Sequence, residues 1–167
     1  MCIRDRCFID SDDLHDLRTL LDHLKRTEVV LLIQTPNFHT RPYCLIEMLT
    51  AIDNGVPMVG VVLVGKTVKP YDFGELRRYL ANLENELDEG AKYLLAGEGY
   101  ADLQLASEKL SSVIPKLISK DFDPAASSNV IAAQLADIRA AMEHCGAGKQ
   151  VKPESTTEPV AARRQSK

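Results

Sequence analysis

Two unbroken apolar runs, residues 29–33 and 58–64, stand between segments whose apolar residues recur at spacings of three and four. A run without polar alternation predicts a strand covered on both faces, as in a parallel sheet. Residues 29–33 are therefore expected to be a central, parallel strand. Before them, Cys7, Phe8 and Ile9 run into Asp10, Ser11, Asp12 and Asp13, which reads as a strand end followed by a helix start. Leu14, Leu17, Leu20, Leu21 and Leu24 then predict a helix over 12–27, with Lys25 and Arg26 suited to its last turn. Pro36 and Pro42 bracket a loop, and Pro42 can open the next helix at its first turn, which Asn54-Gly55 closes.

Strand, helix, strand, helix, strand is the doubly wound α/β pattern. Downstream, Leu76, Leu80, Leu83 and Leu87 predict one charged helix over 74–89, and a further helix covers 101–113, stopped by Pro115; residues 90–99 carry no clear signal. Residues 117–122 alternate apolar and polar positions around Lys120, as in an edge strand protected by charge. A last helix over 130–143 offers Ile131, Leu135, Ile138 and Met142 as its inner face. Beyond Gly146 the chain is rich in Lys, Pro, Glu, Thr, Ser and Arg, the composition of a disordered tail or linker.

A chain of 167 residues suffices for one domain with a proper core. Its net charge of −4 and 5% aromatic content argue against a nucleic-acid surface, which needs a clustered basic face and stacking rings. No apolar run has the length of a membrane span, and the start lacks the apolar core of a signal peptide, so a cytoplasmic location is expected. Cys2, Cys7, Cys44 and Cys145 show no close pairing and are expected as reduced thiols; the four histidines complete no metal ligand set. The opening MCIRDR resembles the translation of a transposase adapter used in sequencing libraries, which sets residues 1–6 apart from the fold.

The candidate chemistry centres on one carboxylate. Glu47 lies within TRPYCLIEMLTAIDNG, a stretch otherwise dominated by apolar residues. With Thr50 and Asn54 it falls at helical spacing, so a solvated stripe is one reading. The ordered set FIDSDDL, VVLLIQT and TRPYCLIEMLTAIDNGVPMVGVVL, however, resembles the Toll/interleukin receptor (TIR) domain, closely over residues 7–73 and more loosely to about 145. Tyr43 stands where that family usually has Trp.

The resemblance implies a flavodoxin-like doubly wound parallel sheet with helices on both faces, here incomplete at the N-terminus, with the family's first strand and helix missing. It implies either a homotypic assembly module or an enzyme that cleaves NAD, as substrate and not cofactor, to nicotinamide and ADP-ribose or a cyclic relative. In the cleaving reading Glu47 is the essential acid, with Asp10, Ser11, Tyr43 and Cys44 around the substrate. Asp12, Asp13 and Leu14 then belong to a loop for contacts with other TIR domains, giving a homo-oligomer. One carboxylate meets the chemical demand: nicotinamide leaves as a neutral ring, so no general acid is needed, and an anion can stabilise positive charge spreading over the ribose. Cys44 as a nucleophile lacks a visible base partner. A phosphate-accepting receiver domain would need an Asp ending the 29–33 strand, where the chain has Gln34-Thr35.

Overall fold

A computed structural model describes residues 17–146. Helix α1 (Leu17–Arg26) precedes strand β1 (Val30–Gln34), and a short 3-10 turn (Phe38–Thr40) leads into α2 (Pro42–Asp53). Strand β2 (Met58–Leu63) is followed by α3 (Phe73–Leu80), α4 (Leu83–Glu86), α5 (Glu89–Gly97) and α6 (Leu103–Val113). A 3-10 turn (Ile114–Lys116), strand β3 (Ser119–Phe122) and α7 (Ser128–Gly146) complete the order. The three strands are parallel in the order β1-β2-β3, with Leu32 opposite Gly60 and Gly60 opposite Ser119. This is an α/β architecture compatible with a flavodoxin-like fold.

Period-two alternation along β2 divides the molecule into two layers. Met58 and Val62 join Leu32 in a core built from α1 to α6, where Leu45, Ile46, Leu49, Leu76, Leu80, Leu83, Leu95 and Leu110 are fully buried. Val59 and Val61 point to the other face, where α7 packs over β2 and β3. Gly60 is the middle member of the row Leu32, Gly60 and Ser119 across the three parallel strands. Ser119 Oγ of β3 donates to Gln34 Oε1 of β1 at 2.6 Å, and a Cβ at Gly60 would lie 2.4 Å from that hydroxyl. Only a residue without a side chain lets the outer strands bond across the middle one.

The helix-bounding signals hold where they were local. Pro42 is the first residue of α2, Asn54 is its C-cap, and Gly55 takes the left-handed conformation at φ 61°. Leu20, Leu21 and Leu24 bury the inner face of α1.

Several expectations need correction. The single helix over 74–89 is broken into α3 and α4, because the chain turns at Ala81-Asn82, and Asp88 starts α5 instead by accepting from the Ala91 N–H at 2.7 Å. Its leucines remain on the core side, folded around a corner. Residues 90–99, without a clear signal, are mostly α5. Strand β1 has β2 as its one neighbour among the described residues. Among the described residues it is not covered on both faces: Leu31 and Ile33 are 38% and 53% exposed, and α7 packs mainly over β2 and β3. Finally, α7 buries Ile138 alone, and Leu135 is exposed, because the sheet beneath the helix is too narrow to take its whole apolar face. The third strand is found at the sheet edge but starts at Ser119, two residues later than expected. The strand read at residues 7–9, the adapter stretch and the tail lie outside the described residues.

Candidate functional site

The loop that carries the chain from β1 into α2 is tied by its own hydrogen bonds. The Phe38 N–H donates to the Thr35 carbonyl at 3.1 Å, and Thr40 Oγ1 donates to the Asn37 carbonyl at 2.9 Å. Asn37 takes the left-handed conformation at φ 67°, which Asn tolerates better than most residues. Arg41 caps α2 through its backbone: its carbonyl accepts from the Leu45 N–H at 3.1 Å.

Tyr43, Cys44 and Glu47 share one flank of the first two turns of α2, since positions three and four apart on a helix are neighbours. Tyr43 is 49% exposed, and Cys44 and Glu47 are half-buried, whereas Leu45, Ile46 and Leu49 are sealed in the core. The helix begins at the carboxyl end of β1, the side of an open parallel sheet where ligands bind. The stripe reading of Glu47, Thr50 and Asn54 fails at its middle member. Thr50 is 4% exposed, and its hydroxyl meets the Tyr100 hydroxyl at 3.2 Å, while Asn54 Nδ2 donates to the Thr50 carbonyl at 2.8 Å. The row is a structural seam between α2 and the α5–α6 connection, leaving Glu47 as its half-open end. Asp10, Ser11, Asp12, Asp13 and Leu14 lie outside the described residues.

A second constellation, unsuspected from the sequence, occupies the same carboxyl-end face. A cleft of about 350 Å³ opens between the β1–α2 loop, through Pro36, Asn37 and His39, and the connection from β2 into α3, through residues 69–73 and Glu75. Tyr43, Cys44 and Glu47 do not line it. His39 is 1% exposed, and its ring is enclosed by Phe38, Tyr71 and Tyr79 at centroid distances of 5.9, 6.1 and 5.3 Å. Its Nδ1 lies 3.5 Å from the Tyr71 hydroxyl, a long contact, and its Nε2 is buried with no hydrogen-bond partner.

Burial lowers the His39 pKa, outweighing Glu75, and burial likewise raises that of Tyr71, so both groups are neutral near pH 7. Asp72 caps α3, its Oδ1 accepting from the Gly74 and Glu75 N–H groups at 2.8 and 3.0 Å, and these bonds hold its carboxyl below the usual range. The signal that could have found this corner is the Asp72-x-x-Glu75 spacing of a helix start, flanked by Tyr71 and Phe73. Among the described residues no three His, Cys, Asp or Glu side chains converge as a metal would require, and no helix is long and apolar enough to cross a membrane. Compared with known proteins, the chain matches no family model, and no curated protein matches it.

Proposed function

We propose that the chain is a TIR-type signalling domain that cleaves NAD, releasing nicotinamide, with Glu47 as the essential carboxylate. The observation that carries the reading is the position of Glu47: it is the half-buried acid on a helix otherwise packed into the core, beginning at the carboxyl end of a parallel strand. Thr50 and Asn54 are engaged in hydrogen bonds within the fold, which removes the solvated-stripe reading of the row. In the proposed reaction the bond between C1 of the ribose and the pyridinium nitrogen breaks, and the electron pair leaves with nicotinamide. Glu47 stabilises the cationic ribose until water or an internal nucleophile captures C1. Tyr43 and Cys44, on the same flank, would border the ribose, and the site would be completed in a homo-oligomer by a neighbouring copy.

The test is nicotinamide release from NAD by the assembled protein, with Glu47→Gln expected to lose at least about a hundredfold, the scale for removing one electrostatic group. Failure of the assembled wild type to release nicotinamide would overturn the reading. A non-catalytic assembly module is the second reading, and one observation favours it: β1 presents Leu31 and Ile33 exposed beside a strand edge unpaired among the described residues.

A further inference from the structure

We propose that the cleft between the β1–α2 loop and the start of α3 binds a small organic cation of the alkylated-ammonium class. Two of its lining residues are aromatic: the rings of Tyr71 and Phe73 pack edge to face, 5.0 Å apart at 87°, and Phe73 is 39% exposed, so the cleft carries π surface beside its carboxylates. His39 forms part of the lining and is kept neutral by burial, so it adds no repelling charge near pH 7.

Charge at the mouth has the matching sign. Asp72 and Glu75 supply two carboxylates against the single ammonium of Lys69, which forms no ion pair among the described residues. An anion is disfavoured twice: by these carboxylates, and because Asp72 already occupies the first N–H groups of α3, which would otherwise receive a phosphate. A bare metal ion is disfavoured by the lack of converging ligands among the described residues. The volume, about 350 Å³, is at the small end of ligand sites. The walls are held in advance by the Asp72 cap and by the hydrogen bonds of the β1–α2 loop, which lowers the ordering cost of binding. Glu47 takes no part, so this site stands or falls separately from NAD cleavage.

The experiment is an NMR titration of the isotope-labelled full chain with choline and, in parallel, with 3,3-dimethylbutan-1-ol, its uncharged isostere. Choline is expected to shift the Tyr71, Phe73 and Gly74 resonances saturably in the millimolar range, with the isostere at least about tenfold weaker. Phe73→Leu and Glu75→Gln, both at exposed positions that leave the core intact, should each weaken choline about fivefold, and Lys69→Gln should tighten it about twofold. Equal binding of choline and isostere overturns the proposal, as does the absence of saturable shifts up to about 50 mM choline, well above the millimolar range expected.

Discussion

Helices α2 and α7 lie on opposite faces of the same three strands and differ in how much of themselves they give to the core. In α2, twelve residues long, Leu45, Ile46, Met48, Leu49, Thr50 and Ala51 are all buried; α7, nineteen residues long, buries Ile138 alone. The difference comes from what surrounds each helix. α2 is hemmed in by α1, α5 and α6, whereas α7 rests on β2 and β3 with exposed Leu31 and Ile33 beside it on β1. Side chains of α2 are therefore fixed by dense packing, whereas on α7 polar contacts do more of the holding: Gln134 Oε1 accepts from the Asp123 N–H at 3.1 Å, and Arg139 donates to Glu143 at 2.9 Å. Glu47, the proposed acid, belongs to the more densely packed helix, and a site group benefits from such fixing.

The comparison is broken most readily by deleting core volume. Leu49→Ala is expected to cost about 2–5 kcal/mol in denaturant unfolding, and Leu135→Ala, the equivalent truncation on α7, no more than about 0.5 kcal/mol. Similar losses at both positions would mean that the two helices are equally packed. A smaller but definite effect is expected at the strand crossing, where Gly60→Ala drives a methyl into Ser119 Oγ and should cost about 1–3 kcal/mol by the same measurement.

The cleft beside α2 adds a pH-dependent difference. His39 has a folded-state pKa below its ordinary 6.5, so the unfolded chain takes up the proton more readily. Its contribution is present above that value and is lost as pH falls through it towards the folded pKa. Unfolding midpoints measured between pH 7.5 and 5 should therefore fall for the wild type, and fall less for His39→Leu. Asp72, whose pKa is also lowered, acts in a separate window below 3.8 and does not confuse the comparison. The smallest change in stability is expected on the open face of β1: Leu31→Lys with Ile33→Lys should alter it by about 0.5 kcal/mol or less while reducing self-association in sedimentation. Unchanged association would remove this face as a contact surface.

What could be read from the chain follows the range over which each signal acts. The 29–33 and 58–64 runs, the Leu20-Leu21-Leu24 spacing and the Pro42 to Gly55 bounds report local backbone and facing preferences, and they give β1, β2, α1 and α2 directly. Whether β1 is covered on one face or two depends on which elements reach it, and its own residues carry no record of that. The break at Asn82 was hidden because the leucines keep their period around the corner. At the candidate sites the same division holds: Tyr43, Cys44 and Glu47 sit within five residues and share a flank by spacing alone. His39, Tyr71 and Tyr79 come from segments some thirty to forty positions apart and meet only through packing.

The proposed role of Glu47 is the chemistry of NAD cleavage. Its most direct test is to measure, on the same preparation of Glu47→Gln, both nicotinamide release from NAD and the free energy of unfolding. Turnover should fall at least about a hundredfold while stability stays within about 0.5 kcal/mol of the wild type. Undiminished turnover, or a loss of activity matched by a loss of folded protein, would contradict it.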